Sequence, residues 1–120
     1  MDCIFCKIIK GDIPSYTIYE DDIVKVFLDV NPMSPGHMLI IPKKHFENLD
    51  DIDIDTLTHI NEIAKKMHIL LKEKLNIDGM SIMQNNGDVQ EVKHYHMHLK
   101  PYYKENNGMS VEEVYKKLIS

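Results

Sequence analysis

Apolar residues recur along this chain with two different spacings, which separate helices from strands. Between residues 57 and 75 they recur every three or four positions, with lysine, asparagine and glutamate opposite, which predicts one long amphipathic helix. Asp53 and Asp55 precede this stripe, where a carboxylate caps free N–H groups and meets the positive end of the helix dipole. The dominant helix therefore lies in the middle of the chain.

Two shorter helices are predicted near the ends of the chain. Residues 3–10 carry apolar side chains at helical spacing, and Gly11 follows as a natural stop. Residues 111–118 form a second amphipathic stretch, and Ser110 and Glu113 stand three positions apart before and within it. That spacing is typical of a capping box, in which each residue satisfies a backbone N–H of the other.

Short runs of β-branched, aromatic or aliphatic residues between the helices predict strands. These runs cover residues 16–20, 23–28, 38–41 and 80–84, and the strand pattern resumes near Val92. Asp21 and Asp22 suit a tight turn after the first run, and two prolines and a glycine make residues 31–36 a loop. The order of elements predicts an α+β domain with a mainly antiparallel sheet.

Composition narrows the classes of function. A chain of 120 residues fits a single domain spanning residues 1–120, and its net charge of -5 argues against a nucleic-acid polymer as partner. The longest uncharged run, residues 30–42, is broken by proline, glycine and polar residues, so we expect no membrane association. No basic, apolar leader is visible, and we expect a cytoplasmic location, with the nucleus as an alternative.

Three of the seven histidines, His94, His96 and His98, alternate within five residues. On an extended strand such side chains share one face at a spacing of about 6.5 to 7 Å, which would build a row of imidazoles. Neutral imidazole acts as nucleophile, base or metal ligand near neutral pH. The row therefore indicates catalysis or a catalytic metal, whereas His59 and His68 in the long helix are expected to have no catalytic role.

The pair Cys3 and Cys6 is open to three interpretations. It can contribute to a metal site, form a redox couple, or consist of two inert buried thiols. The redox interpretation lacks the preceding strand and following long helix of a thioredoxin-like setting. A closed structural zinc site needs two more ligands, and His45 and His94 are available, so we favour zinc.

Several segments, in one order, resemble the histidine triad family. They are Cys-Ile-Phe-Cys-Lys-Ile-Ile at 3–9, Phe-Leu-Asp-Val-Asn-Pro at 27–32, Pro-Gly-His-Met-Leu-Ile-Ile-Pro-Lys-Lys-His at 35–45, Asn-Asn-Gly at 85–87, and Gln90 and Val92 with the triad. The resemblance spans nearly the whole chain, and the N-terminal cysteine pair is similar to the zinc-bearing Hint-like branch. It implies a HIT-like fold of about five antiparallel strands with one long and two short helices, and a homodimer.

The resemblance also implies a reaction. The middle histidine, His96, would attack the phosphorus of a nucleoside monophosphate linked to a leaving group, and water would then cleave the nucleotidyl-histidine. His98 would hydrogen-bond the phosphate oxygens, and His37 would line the phosphate and leaving-group site. The implied substrates are phosphoramidates or acyl adducts of a purine nucleotide. A dinucleoside polyphosphate hydrolase and a nucleotide-binding module with little catalysis are the alternatives.

Substrate-binding residues follow from the same resemblance. Asp29 would bind the ribose, because a carboxylate accepts hydrogen bonds from both sugar hydroxyls. Asn85 would line the phosphate and leaving-group site, and Gln90 would donate to phosphate. The purine slot would be formed by apolar side chains, namely Ile4, Phe5, Ile8, Phe27, Leu28 and Val30.

Three features depart from the family pattern. Only two residues separate Gly87 from Gln90, two fewer than usual. Glu91 stands where a small hydroxyl residue is common, and a carboxylate there is expected to repel phosphate or bulky anionic substrates. Lys100 replaces the usual hydrophobic residue after the triad and is interpreted as a solvated lysine, with an added phosphate or partner contact as the alternative.

Overall fold

The computed structural model describes residues 3–120, in which five strands form one antiparallel sheet. The strands are β1 (Thr17–Glu20), β2 (Val24–Leu28), β3 (Met38–Pro42), β4 (Gly79–Gln84) and β5 (Met97–Tyr102). Their order across the sheet is β1-β2-β3-β5-β4, and every neighbouring pair is antiparallel. The last strand in the sequence therefore lies inside the sheet, with a neighbour on each side.

Three helices complete the fold, and their ends follow the predicted signals. They are α1 (Ile4–Lys10), α2 (Ile54–Leu75) and α3 (Val111–Ile119). The thiol of Cys3 caps α1, which ends at Gly11 with φ of 87°, and Asp53 caps α2. Ser110 and Glu113 form the capping box of α3. Within residues 3–120, no helix is both long and apolar enough to cross a bilayer.

Helices cover both faces of the sheet. On one face, α2 and α3 pack on alternate residues of the central strands, including Val26, Ile40 and Leu99. On the other face, α1 packs on the intervening residues such as Phe27 and Ile41. Every residue of β2 and β3 is buried for this reason. The result is the α+β fold expected from the sequence, with α1 placed against the face where the functional cleft opens.

One predicted strand begins later than expected. The pattern suggested a strand from about Val92, but β5 begins at Met97 and residues 91–96 are irregular. The backbone N–H of Tyr95 donates to the carbonyl of Phe46 at 2.7 Å, outside the sheet ladder. The triad histidines therefore do not form one straight row, since only the last of them lies on the strand.

Asp21 ties the turn after β1 to the long helix. Its carboxylate accepts the backbone N–H groups of Ile23 and Val24 at 2.8 Å, the Tyr19 hydroxyl at 2.8 Å and His59 Nε2 at 2.7 Å. Burial raises the pKa of Asp21, but these hydrogen bonds, led by that of His59, outweigh it and hold the pKa well below 3.8. His59 thus has a structural partner, in keeping with the non-catalytic role expected for it.

Replacing Asp21 by alanine should lower the free energy of unfolding by about 1 to 2 kcal/mol at pH 7, because four donors, three of them partly buried, lose a charged acceptor. The native pKa of the carboxylate lies below its unfolded value, so its contribution is complete above pH 3.8 and is lost as the pH falls towards the native pKa. Urea unfolding of Asp21→Ala measures this loss. The exposed neighbour provides the control: Asp22→Ala should change stability by less than about 0.5 kcal/mol, and equal losses in both variants would contradict the assignment.

Candidate active site

A cleft of about 440 Å³ opens on the sheet face that carries α1. Three histidines, His37, His96 and His98, line it together with Asp29 and Asn85. Its apolar wall is formed by Ile4, Phe5, Leu39 and Val92. Groups able to bind phosphate and sugar therefore face an apolar surface on which a flat base can lie.

His37 enters the cleft from the residue just before β3, and the glycine before it makes this possible. Gly36 has φ of +91°, a left-handed conformation that favours glycine. A Cβ atom at this position would lie 2.9 Å from a methyl group of Leu75 and 3.0 Å from one of Leu71. The packing of α2 behind the turn therefore requires a glycine next to this histidine.

The main chain fixes the tautomer of His96. Its ring is 6% exposed, and Nδ1 lies 2.8 Å from the carbonyl oxygen of His94. Because a carbonyl can only accept, Nδ1 carries the hydrogen, and Nε2 of the neutral ring keeps its lone pair. Burial lowers the pKa of His96 below 6.5, so the ring is neutral at neutral pH. The site therefore presents an unprotonated ring nitrogen at Nε2.

A second chain of contacts fixes the other two rings. The backbone N–H of Met33 donates to His37 Nδ1 at 3.1 Å, so the hydrogen of the neutral His37 ring is on Nε2. That nitrogen lies 3.0 Å from His98 Nδ1, which must accept. His98 consequently carries its hydrogen on Nε2, and burial lowers its pKa to about 4. The cleft thus contains one ring with an Nε2 lone pair and one with an Nε2–H donor.

The hydrogen bonds from Met33 through His37 to His98 also decide between hydrogen bonding and metal binding at the cleft. Asp29, His37 and His98 have ligand atoms within 4.8 Å of one another, as a metal site would. A metal on His37 Nε2 would move the ring hydrogen to Nδ1, against the N–H of Met33. Among residues 3–120, moreover, no ligand cluster unites all three triad histidines. The catalytic-metal interpretation of the triad is therefore not supported.

A separate group of four ligands lies beside the cleft. Cys3, Cys6, His45 and His94 place one sulfur or nitrogen atom each within 4.8 Å of the others. The shorter separations run from 3.1 Å between the two Nδ1 atoms to 3.6 Å between Cys6 Sγ and His94 Nδ1. Tetrahedral zinc with two sulfur and two nitrogen ligands has edges of about 3.3 to 3.8 Å. The four predicted ligands therefore converge as a metal site requires.

The protonation of this group also suits a metal ion. His94 Nε2 lies 2.8 Å from the carbonyl of Pro42 and donates to it, so Nδ1 is free to coordinate. Burial, reinforced by the neighbouring Cys3, raises the pKa of Cys6 to about 11. The Cys6 thiol therefore resists ionisation, and a bound metal would reverse this by deprotonating it. Cys3 and Cys6 are free thiols here.

Comparison with known proteins identifies the family to which this chain belongs. The HIT domain, the histidine triad domain, matches residues 10–105. The chain belongs to the HIT domain family. An uncharacterised HIT-like protein of Methanocaldococcus jannaschii is 48% identical over 112 residues, covering 92% of this chain and 85% of that protein.

Two further HIT relatives bear on function and metal. The adenosine 5'-monophosphoramidase HNT1 of Saccharomyces cerevisiae is 44% identical over 111 residues, which cover 91% of this chain and 68% of that enzyme. A Zn-bound histidine triad family protein from Mycobacterium smegmatis has a TM-score of 0.90 at 32% identity, over 99% of this chain and 91% of that chain. The structural similarity to the Mycobacterium smegmatis protein therefore extends along nearly the whole chain.

Part of the predicted purine slot lies behind the cleft wall of this HIT domain. Ile4 and Phe5 line the cleft, but Ile8 and Phe27 are buried in the packing under α1, where the Phe5 and Phe27 rings meet at 5.7 Å. Neighbouring strand residues point to opposite faces, so Leu28 belongs to the core under α2. Val30 is 65% exposed and does not line the cleft.

Gln90 occupies a different place from the one its implied role suggests. It is 3% exposed, and its Nε2 donates to the carbonyls of Glu47 at 2.6 Å and Val92 at 2.9 Å. Both amide hydrogens are therefore bound to the backbone, and Gln90 is not part of the cleft lining. In this structure the glutamine holds the loop that leads into the triad.

Several cleft residues were not anticipated from the sequence. They include Leu39 and Val92 in the apolar wall, and Met33, Met83 and Val89 along the rim. Strand parity could have identified Leu39, since it alternates with the core residues Met38 and Ile40. Glu91 and Lys100, noted as departures from the family pattern, both line the cleft. Met83 lies on β4 opposite His98, so strand register would also have placed it there, whereas Met33, Val89 and Val92 lie outside the strands, where no alternation applies.

The tautomers can be tested directly. In protein with ¹⁵N-labelled histidine at pH 7.5, long-range ¹H–¹⁵N spectra should show His96 protonated at Nδ1 and His98 at Nε2, because backbone groups fix both rings. His37 should be protonated at Nε2. His68, which lies in α2 outside the cleft lining, is the internal reference in the same spectrum. A hydrogen on Nε2 of His96 would contradict the tautomer assigned to this ring.

Proposed function

We propose that this chain hydrolyses purine nucleoside monophosphates linked to a leaving group through nitrogen or an acyl oxygen. The observation that carries the proposal is the Nε2 lone pair of His96, held at the cleft by the Nδ1 hydrogen bond to the His94 carbonyl. The similarity to an adenosine 5'-monophosphoramidase supports the class of reaction. The apolar wall beside Asp29 supports a nucleoside as the bound group.

The reaction proceeds in two displacements. His96 Nε2 attacks phosphorus, forming a P–N bond while the bond to the leaving group breaks and its electron pair departs with that group. Water then attacks the phosphorus of the nucleotidyl-histidine, returning the electron pair to His96 and releasing the nucleotide. A nitrogen leaving group takes up one proton from solvent and departs as a neutral amine, and the water consumed in the second step returns one proton to solvent. Each step needs one nucleophile positioned in line with the leaving atom. A neutral ring meets this requirement, because protonation would remove the lone pair.

The paired rings of His37 and His98 stabilise the negative charge on the phosphoryl oxygens. His98 Nε2–H donates to a phosphoryl oxygen, since its Nδ1 is occupied by the hydrogen of His37 Nε2. The contact from Met33 holds this orientation before substrate arrives. A preorganised donor of this kind contributes about 3 kcal/mol to the transition state. The charge on the phosphoryl oxygens is therefore met by an oriented neutral donor.

The nucleoside is held next to the paired histidines, at Asp29. Asp29 Oδ1 accepts the backbone N–H of Asn31 at 2.9 Å, which fixes the carboxylate. Its second oxygen, 3.7 Å from His37 Nε2, accepts the ribose hydroxyls. The purine stacks on the wall of Ile4 and Phe5. This arrangement places sugar and base on one side of the phosphate and leaves the other side for the leaving group.

Replacing His96 by alanine should abolish turnover, because no other ring described in the cleft presents an Nε2 lone pair in the fixed tautomers. Binding of adenosine monophosphate should persist, since ribose and base contacts remain. Hydrolysis of adenosine 5'-phosphoramidate followed by chromatography measures turnover, and calorimetry measures binding. His68→Ala, which removes a histidine of α2 outside the cleft lining, is the matched control and should keep wild-type turnover.

The alternatives give different results in the same assays. Wild-type turnover by His96→Ala would overturn the mechanism. Faster cleavage of diadenosine polyphosphates than of phosphoramidates by the unaltered chain would instead indicate a dinucleoside polyphosphate hydrolase. Tight binding of adenosine monophosphate with no turnover of either substrate would indicate a nucleotide-binding module.

Zinc is the ion that we infer for the four-ligand cluster, in a closed structural site of the Hint-like branch. Two sulfur and two imidazole ligands suit zinc, and four of their separations, from 3.1 to 3.6 Å, lie close to the edges of a zinc tetrahedron. The Zn-bound histidine triad relative supports the choice of ion. In this position the ion would link Cys3 and Cys6 at the start of α1 to His94 in the segment before β5.

Removing one thiolate should release the metal. Cys6→Ser should lower the zinc content from one ion per chain to near zero and lower the melting temperature, because metal binding contributes folding free energy. Elemental analysis of the purified protein measures the content. His96→Ala is the control and should retain the ion. Loss of zinc in His96→Ala with retention in Cys6→Ser would contradict the structural site and indicate a triad metal.

A further inference from the structure

Lys100 extends the functional face of β5 beyond the histidines. It lies two residues after His98, so both side chains point to the same side of the strand, and both line the cleft. Among the described residues that line this cleft it is the only lysine or arginine, and the carboxylates of Asp29 and Glu91 also face the cleft. Among the described residues that line the cleft, Lys100 on β5 therefore carries the one permanent positive charge.

The ammonium group of Lys100 is bonded to a poor acceptor. The side chain is half-buried, and Nζ donates to Met83 Sδ at 3.6 Å. A thioether accepts hydrogen bonds only weakly, while an ammonium has three donors to satisfy. None of the ion pairs found within residues 3–120 includes Lys100. An anion in the cleft can therefore replace the sulfur contact without breaking a salt bridge.

The position of Lys100 indicates which part of a substrate it meets. His96, His98 and Lys100 succeed one another along the chain, with the proposed nucleophile first and the phosphate donor second. In an in-line displacement the leaving group departs on the side opposite the attacking atom. Lys100 follows His98 on the same face of β5 and also lines the groove that adjoins the cleft, so a leaving group that extends from the phosphate into that groove passes its ammonium group.

We propose that Lys100 binds an anionic substituent, a carboxylate or a phosphate, on the leaving group of the nucleotide. This inference rests on the proposed function and names the class of leaving group that the site prefers. A polar groove adjoins the cleft at this point, since Lys100 and Met33 line both. Its other lining residues include Ser81, Lys104 and Asn107, which provide hydrogen-bonding groups for the rest of the leaving group.

Matched substrates test the carboxylate form. The unaltered chain should hydrolyse the phosphoramidate formed by adenosine monophosphate and alanine about tenfold more efficiently, in kcat/KM, than its neutral methyl ester. In Lys100→Met the two substrates should become equal, through loss on the anionic substrate alone, and Lys100→Arg should restore the preference. Lys66→Met, an exposed position of α2, is the control and should keep the preference. An unchanged preference in Lys100→Met would overturn the inference.

Binding of adenosine mono- and diphosphate tests the phosphate form without turnover. The second phosphate occupies the leaving-group side, so the diphosphate should bind about tenfold tighter to the unaltered chain. That advantage should vanish in Lys100→Met, whereas affinity for the monophosphate should stay within twofold.

The two proposals fail in distinguishable ways. If no phosphoramidate is hydrolysed but the diphosphate advantage depends on Lys100, the proposed function fails and the role of Lys100 stands. If phosphoramidates are hydrolysed and Lys100→Met changes neither preference, the proposed function stands and the role of Lys100 fails. If the unaltered chain binds neither adenosine monophosphate nor adenosine diphosphate, both proposals are overturned.

Discussion

The hydrogen bond from His96 Nδ1 to the carbonyl of His94 is the constraint on which the chemistry of this HIT domain depends. A neutral imidazole in solution exchanges its hydrogen between two nitrogens, and only one arrangement leaves Nε2 able to attack. A carbonyl two residues away accepts from Nδ1 and removes this ambiguity. Met33 does the same for His37 through an N–H donor, with the opposite outcome for the ring. The main chain thereby assigns different roles to chemically identical side chains.

Burial acts together with these contacts. It lowers the pKa of His37, His96 and His98, so all three rings are neutral at neutral pH. A cluster of neutral rings cannot attract a phosphate by charge, and the nearby carboxylates of Asp29 and Glu91 add negative potential. In the proposed mode of binding, oriented N–H donors therefore hold the nucleotide phosphate, and the one lysine is left for the leaving group. A site of this kind selects among ligands by the positions of their hydrogen-bonding groups more than by their charge.

Sequence reasoning reached most of the fold because the signals were local. Asp53, Ser110 and Gly11 mark helix ends through contacts within one turn, and the structure has them in those roles. It failed at residues 91–96, where a long-range contact between Tyr95 and Phe46 replaces the sheet ladder. The triad pattern identified the correct histidines but not their directions. Ring orientation depends on backbone groups such as the Pro42 carbonyl, which no spacing within the triad encodes.

His94 connects the two centres of the molecule. Its ring turns towards Cys3, Cys6 and His45, while its carbonyl holds the hydrogen of His96. An ion bound to this ring would fix the residue on one side, and the bond from Nε2 to the Pro42 carbonyl fixes it on the other. A residue held at both ring nitrogens has little freedom to rotate its peptide group. With an ion bound, the orientation of the proposed nucleophilic ring would depend on the four-ligand cluster without any contact between the ion and a substrate, because the link runs through one backbone carbonyl.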